Sequence, residues 1–268
     1  MVDTMALLGR YFGVSIRAQL QYRASFLLNA TGQFVNSGIE FVGLWALFDR
    51  FGHLAGWTFA EVAFFYGVVN CTFAIADALT TGFDRFGSHY VKTGDFDRLL
   101  LRPRPAALQL AGHEFALRRV GRLLQGMIVL AWATSALDIP WDAARVALLT
   151  LTVTGGIAFF VGLMVLQATL CFWTTESLEI MNVLTYGGVE TAQYPLSIYH
   201  VAFRRVFTFV VPLACIGYFP VVAVLGVDDP LGTGRVFQAL APLAGVAFLG
   251  LSLVVWSVGV RRYTSTGS

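Results

Sequence analysis

From Phe59 to Thr80 the chain reads FAEVAFFYGVVNCTFAIADALT, and the reading of this stretch decides the fold. Its apolar residues run on without the alternation of a barrel strand. As a helix it measures about 33 Å, enough to cross roughly 30 Å of bilayer hydrocarbon. Five more stretches of this kind accompany it: Phe26–Phe48, Leu123–Trp141, Val146–Trp173, Val206–Leu225 and Val236–Val258. The whole composition agrees. Of 268 residues, 57% are apolar and 13% charged, about half the charged share of a soluble domain. Mean hydropathy is +0.69. So few charges cannot clothe a water-facing globule, and so many apolar residues exclude disorder. A net charge of +2 and a single lysine, Lys92, leave no basic groove for nucleic acid. Cys71, Cys171 and Cys215 sit in apolar runs without metal or disulfide spacing and read as small buried hydrophobes. The chain is therefore expected to be an all-α membrane protein of six transmembrane helices, one domain over residues 1–268.

Orientation follows from the cations. With the N-terminus in the cytoplasm, 15 of the 18 Lys and Arg residues fall on the inner side, and Arg50, Arg145 and Arg235 remain outside. An even number of spans also keeps Arg261 and Arg262 inside, so both termini are expected to be cytoplasmic. The first apolar run starts only after some 25 residues that include Asp3, Arg10, Arg17 and Arg23, which predicts no signal peptide. Residues 4–22 read instead as an amphipathic helix in the inner headgroup layer. Met5, Leu8, Phe12 and Ile16 lie on one face, and Arg10 and Arg17 on another, toward anionic lipid. The larger inner block, Thr81–Arg122, holds eight of the cations, and a second cytoplasmic block is expected over Thr174–Arg205 with Glu176, Glu179 and Glu190.

Polar residues inside the spans are few and ordered. Asn29, Gln33, Asn36 and Glu40 recur at steps of four, three and four, on one face of the first span. A carboxylate at depth costs about 2.5–3.5 kcal/mol and turns toward protein or water. Two readings stay open, a lining for a translocation pathway and interhelical hydrogen bonding. Asn70 and Asp77 share a face of the second span; Asp77 is expected simply to reach the inner interface. There is no phosphate-binding G-x-x-x-x-G-K-[ST], no G-x-S-x-G, and His113-Glu114 is not followed by a zinc-binding His. No catalytic or metal constellation is present, so the chain is expected not to be an enzyme.

Lys92-Thr93-Gly94-Asp95-Phe96-Asp97-Arg98-Leu99-Leu100-Leu101-Arg102-Pro103 reads as a short amphipathic helix between a glycine and an Arg-Pro-Arg-Pro stop. In its place after the second span this string resembles the permease subunits of ABC-2-type exporters, which carry a G-x-(hydrophobic)-D-x-x-L-x-R-P pattern there. Asp95 adds a second acid beside Asp97, and the pattern's Asp stays open between them. Tyr194-Pro195-Leu196-Ser197-Ile198-Tyr199, Pro212-Leu213-Ala214 with Tyr218-Phe219-Pro220, and the tail from Arg261 through Gly267 agree in order and spacing.

The resemblance implies a connecting helix over residues 4–22 and an ATPase-coupling region over 81–122. Within the latter, a coupling helix around Phe83–Arg102 would place Gly94, Asp95, Asp97, Arg98, Arg102 and Pro103 against an ATPase. It implies short re-entrant elements around Tyr218–Arg235. It also implies a second permease chain, identical or related, and separate ABC ATPase subunits that bind the ATP and Mg this chain has no means to hold. Asn29, Gln33, Asn36, Glu40 and Asn70 become candidates for the pathway of an amphipathic or hydrophobic small molecule, exported across a bacterial inner membrane. The alternatives are an ion-coupled secondary transporter and a non-transporting assembly subunit.

Overall fold

A computed structural model describes residues 2–113, 115–174 and 179–264, with side chains except at 2–8, 179 and 180. Glu114, Glu176, Ser265, Thr266 and Gly267, and the side chains of Met5, Leu8 and Glu179, lie outside the described residues. The described chain is helical with no strand. Helix α1 spans Val2–Gln21, α2 Arg23–Phe51 and α3 Phe59–Asp84, the last running into a π-turn at Phe86–Val91. Two short helices follow, α4 (Asp95–Leu100) and α5 (Ala106–His113), then α6 (Val120–Ala136) and α7 (Ala143–Thr174). After α8 (Glu179–Ala192) come α9 (Val201–Arg205), a π-turn at Val206–Val210, α10 (Leu213–Ile216) and α11 (Tyr218–Leu225). The chain closes with α12 (Arg235–Leu240) and α13 (Leu243–Arg262).

Helix α3 is the axis of the bundle. A reciprocal cap starts it: the Thr58 amide donates to Glu61 Oε2 at 2.8 Å and the Glu61 amide to Thr58 Oγ1 at 3.4 Å. From Val62 to Phe83 almost every side chain is buried, as befits a helix apolar all round. Its rings lock onto α7, with Phe73 edge-on to Phe160 at 5.2 Å. Helices α7 and α13 run parallel at closest approach through glycines: a Cβ at Gly155 would land on the Pro242 carbonyl, and one at Gly245 on the Gly155 carbonyl. The outer faces of α2 and α13 stay apolar and unpacked, with Ile39, Val42, Val246 and Val254 exposed.

Among the described residues, three helices are long and apolar enough to cross a membrane: α3 with its π-turn, α7 and α13. The stripe of polar residues dilutes α2, and α6 has only 17 residues. Residues 4–22, expected as a connecting helix, fall almost wholly in α1, which ends at Gln21.

Two expectations are corrected. The stretch Val206–Leu225 is not a straight fifth span. Val201–Val210 and Leu213–Leu225 form a pair bent by 74°, broken where Pro212 has no N–H to continue the helix. The bend is deep: Ile216 lies beside both Gly156 and Gly245. The bent pair thus begins at Val201, ahead of the Tyr218 at which the resemblance implies re-entrant elements. Nor is Thr174–Arg205 one block beyond the inner end of the bundle. Helix α8 packs along α3, with Tyr186 edge-on to Phe73 at 5.7 Å. Beyond it, Ser197 accepts a 2.9 Å hydrogen bond from Trp57 Nε1 at the opposite end of α3.

A carboxylate clasp closes the loop after α11. Asp229 accepts from the Tyr218 hydroxyl at 2.7 Å, from the Leu231 amide at 2.9 Å, and from the Thr233 amide and hydroxyl. Partial burial raises this carboxyl's pKa, but the hydrogen bonds from Thr233, Tyr218 and the two amides outweigh it and hold the value below the ordinary aspartate range. A depressed pKa stabilises the fold fully above the ordinary value of about 3.9, and the gain is lost as pH falls through the lowered value. Hydrogen exchange at Leu231 and Thr233 is expected to be slow at neutral pH and to lose its protection below about pH 3.9 once exchange rates are corrected for pH. Asp229→Asn removes that step; an unchanged profile in the variant refutes the clasp.

Candidate functional site

Two places carry the candidate residues, one at the α4 end of the bundle and one midway along it. At the first, Gly94 adopts φ +72°, the left-handed turn that lets the chain leave the π-turn and start α4. Thr93 Oγ1 donates to Asp95 Oδ2 at 2.9 Å, and Asp95 pairs with Arg98 at 3.1 Å. The expected single helix around Phe83–Arg102 is therefore three pieces: the end of α3, the π-turn and the six-residue α4.

The two faces of α4 differ in kind. Phe96 and Leu99 point inward and are buried. The Phe96 ring meets Phe86 and Tyr263 at 5.0 Å, Phe172 at 5.5 Å and Trp256 at 6.2 Å. This aromatic cluster roots α4 on α7 and α13. Behind it, the Gln109 amide donates to the carbonyls of Leu99 and Arg104 and fixes the Arg-Pro-Arg-Pro turn. The outward face offers Arg98, 83% exposed in its side chain, and Leu101, 86% exposed, with Arg102 and Pro103 beside them. The helix thus presents a basic and apolar tip on an aromatic root.

The second place centres on a residue that sequence reasoning put in the cytoplasmic block. Arg122, in the first turn of α6, donates through Nε to Asn70 Oδ1 at 2.8 Å and faces Glu40 Oε2 at 3.9 Å. Its guanidinium lies 5.1 Å from the centre of the Phe73 ring. Asn36 donates to the other Glu40 oxygen at 3.1 Å, and the Tyr66 hydroxyl to the Ser37 carbonyl at 2.7 Å. Glu190 of α8 is exposed and acts electrostatically on Glu40.

Of the five pathway candidates, the structure thus joins Asn36, Glu40 and Asn70. Asn29 instead bonds back to the Ser25 carbonyl at 2.8 Å, and Gln33 is half-buried outside these hydrogen bonds. Arg119 is also held inside the fold: it pairs with Asp77 at 2.7 Å, with side chains 14% and 4% exposed. The Asp77 side chain is buried against α6 and not exposed on the surface. The missed signal was the match between two polar positions seven apart on α3 and two arginines three apart on α6. Long side chains splay in opposite directions to span the difference.

Among the described residues no group of acids, histidines and cysteines could hold a metal ion. No curated protein and no solved structure matches the chain. A family model described as ABC-2 family transporter protein matches residues 34–267, which takes in both places and every helix from α3 to α13. With that match and a multi-helical apolar bundle, the chain belongs to the ABC-2 family of transporter membrane proteins.

Proposed function

We propose that the chain is one membrane half of an ATP-driven exporter, worked through α4 by a separate ABC ATPase and completed by a second permease. The observation that carries this is the division of α4 into a buried aromatic root and an exposed basic-apolar tip. Closure of the ATPases around bound ATP and Mg would displace the tip, and the Phe96 cluster would pass the displacement to α7 and α13. Coupling of this kind needs contacts that differ between two states, and a rooted helix transmits force where a loose loop would not.

The crossings we assign are α2, α3, α6, α7, α8 and α12 with α13, both termini cytoplasmic. The bent pair then dips in from outside. This moves Arg204 and Arg205 outward and still leaves most cations inside, in keeping with a bacterial inner membrane. The Asn36–Glu40–Arg122–Asn70 group faces the open side of α2, where the two permeases would enclose an amphipathic or hydrophobic cargo.

The test is the pair Arg98→Ala with Leu101→Ala. Both side chains are exposed, so the purified permease should keep its melting temperature. Stimulation of the ATPase by cargo should fall about tenfold or more, as the loss of an interface anchor does. Full stimulation in the double variant refutes docking through α4.

A further inference from the structure

A cavity of about 390 Å³ opens at the elbow between α1 and α2, lined by Gln19, Tyr22, Ser25, Phe26, Asn29 and Arg118. Its depth is fixed by hydrogen bonds. The Ala116 amide donates to the Ala78 carbonyl at 3.2 Å, and the Leu117 amide to Gln19 Oε1 at 3.1 Å. From Phe59 to Ala78, α3 rises about 28 Å, close to the full hydrocarbon thickness of roughly 30 Å. The cavity therefore lies where acyl chains give way to headgroups.

Its chemistry is one-sided. Among the described lining residues none is acidic. Asp77, which feels the Arg118 charge, is already paired with Arg119. The Asn29 amide is spent on Ser25 and the Gln19 amide on Phe115. That leaves the Arg118 guanidinium with the Ser25 and Tyr22 hydroxyls as donors, and Phe26 as an apolar wall. Such a set suits a phosphate with a hydrocarbon tail.

We propose that this elbow is a seat for one anionic phospholipid of the inner leaflet, its phosphate on Arg118 and its chain along α2 past Leu27 and Leu28, which are exposed. The lipid fills the angle between α1 and α2 and holds α1 on the membrane surface. This goes beyond the exporter reading: binding needs neither ATPase nor cargo, so its failure would leave that reading standing.

The experiment titrates the purified full chain in detergent with acyl-labelled fluorescent phosphatidylglycerol. Saturable binding is expected, tighter than for the phosphatidylcholine analogue and undisturbed by millimolar inorganic phosphate. Arg118→Gln should weaken it about tenfold, the usual loss for a hydrogen bond to a charged group. Arg118→Lys should retain most of it, and Ser25→Phe, which fills the cavity from the other wall, should weaken it as Arg118→Gln does. Arg10→Gln, outside the lining, should change it less than twofold. Equal affinity for the two lipids, unchanged binding in Arg118→Gln or Ser25→Phe, or displacement by inorganic phosphate, which would mark a free-phosphate site, overturns the proposal.

Discussion

Arg119→Ala is expected to lower the melting temperature of the purified permease by about 10 °C or more, and to cut the yield of folded protein in the membrane. The reason is what remains behind. Asp77 has 4% of its side chain exposed and holds the arginine at 2.7 Å. Removing one member of a buried pair strands the other charge, at a cost of about 3–5 kcal/mol. For a chain of this size each kcal/mol moves the midpoint by roughly 2–4 °C. The pair differs from an ordinary packing contact in a testable way. Replacing both residues by leucine removes the stranded charge and should recover most of the loss, whereas either single change should not. Thermal unfolding followed by intrinsic fluorescence compares the variants. A double variant no better than the singles would mean that the pair fixes geometry as well as charge; a harmless Arg119→Ala would refute the buried bridge.

Gly155→Val is expected to be still more damaging. The added atoms have no room, because a Cβ at this position already meets the Pro242 carbonyl, and Gly245 backs onto Gly155 in return. Apolar helices in lipid gain little from hydrophobicity when they associate, so close backbone approach is what holds them. Forcing α7 and α13 apart costs the contacts along their whole length, more than the about 1–3 kcal/mol of an overpacked core site. The variant should elute as aggregate in size-exclusion chromatography. Gly250, on the partner helix α13, supplies the control: nothing lies within 4 Å of its would-be Cβ, so Gly250→Ala should elute as the parent does. A monodisperse Gly155→Val would show that the two helices do not pack as described.

Helices α1, α2, α3 and α7 were legible because their sequence carries both length and periodicity. Apolarity alone did not show the bend in the fifth apolar stretch. Val206–Leu225 is richer in apolar residues than α8, yet Pro212, Gly217 and Pro220 fall within it, and it bends by 74° with Ile216 beside Gly156. Helix α8 carries Asn182, Thr185 and Glu190, which read as cytoplasmic. In the fold, Thr185 and Val189 are buried, while Glu190 faces the open side that also bears Glu40. Hydropathy reports how much of a segment is hidden from water, and a bent pair is hidden as well as a straight helix. The arginines misled for a related reason. Counting cations assigns sides of a membrane, but Arg119 and Arg122 are spent on partners that only the antiparallel contact of α3 and α6 brings near. Leu99 and Phe96, by contrast, declared α4 amphipathic in the sequence itself, and the helix formed where the Gly94 turn allowed.

Phe73 occupies an unusual crossroads. One flank of its ring abuts Phe160 on α7, another meets Tyr186 on α8, and the Arg122 guanidinium rests against it. If α4 is pushed by an ATPase as proposed, the helices that would receive the push and the charges proposed to face the cargo are on different sides of this one phenyl group. Mechanical work and polar recognition then share a single incompressible bearing, and any play in it would be felt as slippage between fuel spent and molecules carried.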